Sequence, residues 1–502
     1  MRVLLINPPI DAVLRNGHAS PVTAFLFFNS APLGLLYIAA ALLEAGHVVD
    51  VIDAAAERLD VAGTVRRALA FRPDVLGLGS TTVGFQSAVE LAEALDGELP
   101  SVPIVLGGHH VTLLPDLAMA HACFDVGVLD EGEHTMVELV EHYRGVKALQ
   151  AIPGLVIRGD DGGLHYTAPR KKLLDLDSLP MPARHLIPPE LYRPIPIDEH
   201  GLPKVAMITS RGCPHRCVFC QKAASGYRSH SVDRIVAEME HVVRDLGAKD
   251  LAFVDSLFCV SKKRVWSICD EIIRRRIGIS WTCSSRVEVV DHPLLQRMVD
   301  AGCWRTRFGI ESGSARVLEF ISKGITKDLI RRAITSAHEV GLRPKAFFIV
   351  GHLVDNRDTI LESIEFAKSI PLHDITVQIN TVLPKTRQSE IFAEQGETYG
   401  RIISDSTDLT SFWEPTFVPW GLESGDLVEL HRRFYREFYL RPKIMRWHLG
   451  TIHSPRDVKK YLQAAGLFAF LTADKQLPDL SRLGALFGGA GTPVSDAGSC
   501  ER

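Results

Sequence analysis

The sequence predicts an α/β protein. A doubly wound, Rossmann-like parallel sheet is followed by a partial (β/α)6 barrel of the TIM type and a helical C-terminal region. Three observations carry this. Apolar runs of strand length alternate with amphipathic stretches of helix length through residues 1–145. The alternation resumes at larger spacing through residues 205–400. Between them, residues 146–204 break both patterns with a series of prolines.

In the first unit, strands are expected at 3–6, 48–52, 75–78, 104–106 and 125–128. Each is a short continuous apolar run, as strands covered on both faces require. Helices are expected at 33–45, 61–70, 86–95, 114–120 and 135–143. Ligands of such sheets bind beyond the carboxyl ends of the strands. The segment LVIRGDDGGLHY then reads as a hairpin turning at Asp160-Asp161-Gly162-Gly163. Pro180, Pro182, Pro188, Pro189, Pro194, Pro196 and Pro203 make the rest of 146–204 a linker of limited flexibility. In the second unit, strands are expected at 205–209, 251–254, 279–283, 306–310, 345–350 and 375–380. Helices fall between them at 232–246, 262–275, 293–301, 327–340 and 358–369. Barrels of this kind carry their active residues at the strand C-termini. Residues 401–480 read as helical, with arginines and aromatics that suit an amphipathic helix capping the barrel at 434–445. Residues 481–502 are small and glycine-rich and are expected to be disordered.

Composition narrows the function. With 46% hydrophobic and 23% charged residues, the chain is not disordered as a whole. Lys plus Arg number 56 against 60 Asp plus Glu, so nothing draws the chain generally toward nucleic acid. The longest apolar run, 31–43, stops at Glu44, short of the ~18 residues a membrane helix needs. MRVLLINPPI reads as a first strand and not as a signal peptide, so a cytoplasmic location is expected. Nine cysteines are too few for a disulfide scaffold. Six of them, Cys123, Cys259, Cys269, Cys283, Cys303 and Cys500, are scattered and read as buried or free thiols.

The other three form the strongest motif, RGCPHRCVFCQ at 211–221, spaced Cys213-x3-Cys217-x2-Cys220 after the first barrel strand. Three thiolates on one short loop can hold three irons of a 4Fe–4S cube and leave the fourth open to an exogenous ligand. The competing reading is zinc with His215 or a distant residue as the fourth ligand. Zinc sites usually pair C-x2-C knuckles, and the sequence offers no second one.

The cysteine loop, with Phe219 before its third cysteine, resembles the signature of the radical S-adenosylmethionine superfamily. The resemblance implies a 4Fe–4S cluster on Cys213, Cys217 and Cys220 that chelates S-adenosylmethionine. Its one-electron reduction would give methionine and a 5′-deoxyadenosyl radical. It also implies a reductant such as flavodoxin or ferredoxin. Asp255, Arg286 and Glu311 follow the second, third and fourth strands, where an acid and a base suit the ammonium and carboxylate of the methionine moiety.

A doubly wound domain ahead of such a barrel resembles the cobalamin-binding branch of that superfamily. The segments that carry this are PLGLLYIAAALLEAGHVVDVIDA (32–54), GLGSTT (77–82), GGHHVT (107–112) and LDEGEHT (129–135). They make Ser80, Thr81, Thr82, Gly107, Gly108, His110, Glu131 and Gly132 the cobalamin-binding candidates. Gly107 and Gly108 would let the backbone approach a flat ligand, and the hydroxyls would donate to its amides or phosphate. Some positions depart from the family. NPPIDAVLRNG lacks the D-x-H-x-x-G histidine that ligates cobalt from below in the mutases. Ser256 replaces a second acid, GHLVDNRDT replaces a Pro-Gly pair, and Pro384-Lys385-Thr386 stands for a PGT motif. The resemblance implies methylation of an unactivated sp3 carbon of a small-molecule or lipid substrate. A radical dehydration, cyclisation or oxidation is the alternative, with the first domain structural or binding cobalamin for redox. A methylthiotransferase should bring three cysteines to its first domain, and 1–150 contains only Cys123.

Overall fold

Five parallel strands open the chain: β1 (Arg2–Asn7), β2 (Val48–Asp53), β3 (Val75–Ser80), β4 (Ile104–Gly108) and β5 (Val126–Val128), in the order β2-β1-β3-β4-β5. A computed structural model describes every residue except 11–29, 160, 193, 195–197, 222–225, 405–414 and 473–502. The loop that lacks the mutase histidine falls largely, and the tail 481–502 entirely, outside the described residues. Apolar side chains on both faces of the sheet pack under flanking helices as two separate clusters. Strand order reverses between β1 and β3, so the ligand crevice of this topology opens beyond Asn7 and Ser80. The hairpin forms as β6 (Leu155–Arg158) and β7 (Leu164–Tyr166). It is not free in the linker, however: β6 pairs antiparallel with β5 and extends the sheet to seven strands.

Two described residues of the proline-rich segment reach the two units in turn. Tyr192 donates to Asp53 Oδ2 at 2.8 Å, and Arg184 is buried against Glu238 at 2.7 Å.

The barrel sheet contains β8 (Lys204–Met207), then, after a small antiparallel pair β9 (Ser210–Arg211) and β10 (Arg228–Ser229), β11 (Asp250–Phe253), β12 (Ser280–Ser285), β13 (Cys303–Glu311), β14 (Lys345–Val350) and β15 (Asp374–Ile379). Its six strands run parallel in the order β8-β11-β12-β13-β14-β15 around one continuous apolar core. Side-chain caps start the intervening helices: Ser231, Ser261, Asp291, Thr326 and Asn356 each accept from a backbone N–H three residues on. Each such cap stabilises by about 1 kcal/mol.

The N-terminal end of the barrel is closed by charge. Lys204 meets Asp250 at 2.9 Å, Arg305 bonds Asp198 and lies 3.2 Å from Asp374, and Lys345 lies 3.4 and 3.5 Å from the same two acids. Burial opposes the charge on Asp198, but Lys345 and Arg305 hold its carboxyl well below the usual range. The free edge of β15 is covered by the helix Ser424–Tyr439, whose Tyr435 hydroxyl accepts from Val377 N at 2.9 Å and donates to Val377 O at 3.1 Å. The C-terminal region adds a short hairpin not foreseen from the sequence, β16 (Gly400–Ile402) with β17 (Phe417–Pro419). No helix among the described residues is long and apolar enough to cross a membrane.

Candidate cofactor site between the facing sheet ends

The cysteine loop leaves the sheet at Gly212, whose φ of +84° is the left-handed turn that lets the chain fold back over the barrel mouth. The β9–β10 pair clamps its base. Val218 N donates to Ile321 O at 3.0 Å, Gln388 N donates to Val218 O at 2.9 Å, and Cys220 N closes a turn onto Cys217 O at 3.1 Å. Cys217 is buried, and Cys213 and Cys220 are half-buried. Arg286 Nη1 lies 3.6 Å from Cys217 Sγ.

The strand-end candidates fall into two kinds. Arg286, past β12, and Glu311, ending β13, both face the loop's surroundings: Arg286 also holds Glu288 and the carbonyl of Lys323, and Glu311 accepts from Lys323 Nζ at 2.7 Å. Glu311 has φ +70°, a left-handed conformation that costs a non-glycine residue on the order of 1 kcal/mol, and the sheet register shifts there. Asp255 is instead wired to the neighbouring strand. Its Oδ1 accepts from Thr209 N and Oγ1, both at 2.9 Å, and from Ser210 Oγ at 2.6 Å. Burial raises its pKa, and Oδ2 meets no partner among the described residues. Phe219 carries the Lys323 ammonium over its ring at 5.9 Å and the His352 ring at 5.7 Å.

Two residues of this mouth were missed in the sequence. Lys323 follows the short helix Ala315–Phe320 and returns to Glu311. His352 occupies the departure GHLVDNRDT; it is fully buried, with neither ring nitrogen partnered among the described residues. Asp355 builds the turn that presents it, accepting from Gly351 N and His352 N at 2.9 Å each. Burial, then the Lys323 charge, lowers the His352 pKa to about 3. On the adjoining strand end, Asn380 Nδ2 and Thr381 Oγ1 are likewise buried without partners among the described residues. A buried polar atom left unpaired costs about 1–3 kcal/mol, so this cluster fits a polar ligand completing it.

In the first unit, Ser80 lies beside Gly108 in register at the ends of β3 and β4. Thr81 caps the next turn, its Oγ1 accepting from Gly84 N at 3.2 Å, and Thr82 is half-buried beside it. The reason given for Gly108 needs correcting. Its φ is +101°, and an added Cβ would sit 2.6 Å from Ser80 O, so the neighbouring strand demands glycine there whatever the ligand. At Gly107 a Cβ would meet only Leu78 O at 3.9 Å, so this glycine keeps open space that a ligand can use. His110 is buried, stacked on Phe85 at 3.9 Å, with both ring nitrogens unpartnered among the described residues. Burial, then His109 and His121, lowers its pKa to about 4. Gly132 packs on Ile38, which a Cβ would meet at 3.0 Å. Glu131 has been drawn into a different task. It takes Arg228 at 2.6 Å and Arg211 at 3.4 Å, while Glu133 takes Arg211 at 2.5 Å. Burial works against its charge, but the two arginines hold its pKa below the usual range. The pair therefore fastens the base of the cysteine loop to the end of the first sheet.

Residues 20–140 match the family model of the B12 binding domain, and residues 207–367 match that of the radical SAM superfamily. An uncharacterized methyltransferase of Pyrococcus horikoshii is 33% identical over 457 residues, covering 89% of this chain and 94% of the relative. The chain belongs to the cobalamin-binding radical S-adenosylmethionine enzymes. Within that family, an anaerobic magnesium-protoporphyrin IX monomethyl ester cyclase of Rubrivivax gelatinosus is 26% identical over 497 residues, covering 96% of this chain and 85% of the relative. The fold matches the cobalamin-dependent S-adenosylmethionine radical enzyme OxsB with a TM-score of 0.73 at 17% identity, covering 94% of this chain and 71% of OxsB. The family's cofactors are cobalamin on the first unit, and a 4Fe–4S cluster with S-adenosylmethionine on the second.

Proposed function

We propose that this radical enzyme methylates an unactivated sp3 carbon of a small-molecule or lipid substrate. One observation carries the reading: the carboxyl ends of the two parallel sheets meet, with His109 after β4 only 3.0 Å from Gln221, the residue after Cys220. Cofactors bound at those two ends would share one enclosed space. When bound, the cluster with S-adenosylmethionine supplies a hydrogen-abstracting carbon radical, and cobalamin supplies a methyl group that a carbon radical can accept.

The chain's own residues then bind and orient. Cys213, Cys217 and Cys220 are the cluster ligands, and Arg286 is the positive neighbour of Cys217. Glu311 and Lys323 form a buried acid–base pair suited to the two ends of an amino acid, and the unpaired atoms of His352, Asn380 and Thr381 suit its neutral part or the substrate. Ser80, Thr81 and Thr82 with Gly107 border the crevice for the corrinoid. The methyltransferase relative supports this reading. The cyclase relative supports a non-methylating radical outcome as the second.

The test is an anaerobic reconstitution with iron, sulfide and hydroxocobalamin, assayed against candidate lipids, phosphonates, sugars and peptides. Methyl transfer requires equal amounts of 5′-deoxyadenosine and S-adenosylhomocysteine and a product heavier by one methylene. 5′-Deoxyadenosine alone, with no added carbon in the product, selects the cyclase-like outcome.

A further inference from the structure

Three loops from two units converge on the side chain of Gln221. Its Nε2 donates to Pro384 O at 3.1 Å, in the loop after β15, and its Oε1 lies 3.0 Å from His109 Nε2, in the segment after β4. A second link runs beside it. Lys385 Nζ donates to Thr112 O at 3.2 Å, and Thr112 Oγ1 in turn donates to Gly108 O at 2.9 Å and accepts from Asp130 N at 3.0 Å. A continuous set of hydrogen bonds therefore joins the ends of β4 and β5 to the two barrel loops that flank the third cysteine. Lys385 holds φ +56°, where glycine would sit without strain, so the chain accepts an unfavourable backbone at the residue that reaches across. The other end of the cysteine loop is already anchored to the first sheet by Arg211 and Arg228 on Glu131 and Glu133. Gln221 supplies the second anchor, and two anchors fix orientation where one leaves a pivot.

We propose that Gln221 is a positioning residue, which with His109 and Pro384 sets how the cluster loop is aligned against the cobalamin edge of the first sheet. It goes beyond ligand assignment and rests on the reading that both cofactors act in this one space. Alignment of this kind matters because a radical formed on one cofactor must find its partner on the other before it reacts elsewhere.

The experiment uses the full chain with two substitutions from opposite sides, Gln221→Ala and His109→Leu. In the cofactor-free chain, amide exchange should rise at least about tenfold in residues 109–113 for the first and in 217–221 for the second. After reconstitution with iron, sulfide and hydroxocobalamin, iron content should stay at the wild-type level in His109→Leu. The magnetic interaction between the reduced cluster and cob(II)alamin, read by electron paramagnetic resonance, should weaken and broaden in both. Unchanged exchange, or an interaction identical to wild type, overturns the proposal. So does iron loss in both variants, which would make the contact part of loop folding alone. A wild type that takes up no cobalamin fails the underlying reading instead, and the exchange data still judge the latch.

Discussion

The two ends of the barrel are built from the same strands and differ in how their charges are paired. At the N-terminal end, buried Lys204, Asp250, Arg305, Lys345 and Asp374 and half-buried Asp198 lie against one another, each beside an opposite charge. At the C-terminal end, Asp255 Oδ2, both nitrogens of His352, Asn380 Nδ2 and Thr381 Oγ1 are buried with no partner among the described residues. Strand direction decides which end is which, because in a parallel barrel the loops after the strands, not those before, form the mouth. One end balances its charges within the chain, although Arg305 Nε and His373 Nδ1 there also lack hydrogen-bond partners among the described residues. The other gathers its unpartnered groups around the mouth, where a ligand can reach them.

The sharpest way to break this contrast is to exchange effects between the ends. Cys213→Ala or Cys220→Ala should abolish formation of 5′-deoxyadenosine while shifting the denaturant midpoint of the cofactor-free chain little, because both thiols are only half-buried. Arg305→Leu should do the reverse. It removes one of the two cations beside Asp198 and Asp374; breaking a buried pair costs about 3–5 kcal/mol, an upper limit here because Lys345 stays 3.4 and 3.5 Å from the same acids. A urea titration should show that loss, with the affinity for S-adenosylmethionine of the folded protein unchanged.

Acid should lower stability without any mutation. His352 and His373 have pKa values lowered to about 3, and His110 and His431 to about 4, burial being the main cause in each. Below the ordinary value of 6.5 the unfolded chain takes up protons that the folded chain refuses, so stability falls as pH drops from about 6.5 toward 4, by up to ~1.4 kcal/mol per pH unit for each histidine. Asp355, raised to about 6 by burial, works the other way as it gains its proton, and offsets part of the loss. Asp198 is held well below its usual range, so the N-terminal network should keep its charge through that window. Urea midpoints measured from pH 7.5 to 4.5 check this. A chain equally stable throughout would contradict it. The smallest expected effect is the most diagnostic: His352→Phe should raise cofactor-free stability by about 1 kcal/mol, by removing unpaired buried nitrogens. The same substitution should weaken S-adenosylmethionine binding about tenfold, equivalent to ~1.4 kcal/mol, in isothermal titration.

Much of this was legible in the chain itself. Strands such as β1 and β3 are apolar on both faces, a pattern that only a covered parallel sheet explains, and the cysteine spacing pointed to the cluster loop. What stayed hidden were pairings across long separations. Glu131 sits in a segment resembling a cofactor loop, yet its partners Arg211 and Arg228 come from the next unit. Lys323 carries no local signal that it returns to Glu311. Gly108 looked like a residue kept small for a ligand, and only the register of β4 on β3 reveals the strand that excludes a side chain. The hairpin was visible, but not that β5 would take it as a partner.

Position 311 places two selective pressures in conflict. Its backbone, at φ +70°, is one that glycine adopts freely, while its side chain is the carboxylate bonded to Lys323. A saturation library at this codon should therefore rank differently under two screens. Sorting for abundance of folded protein favours glycine and asparagine, and sorting for turnover retains glutamate. If Glu311 holds the amino acid end of the bound cofactor as proposed, drift through this site is a fitness valley, since a route from glutamate to a more comfortable residue crosses loss of chemistry first.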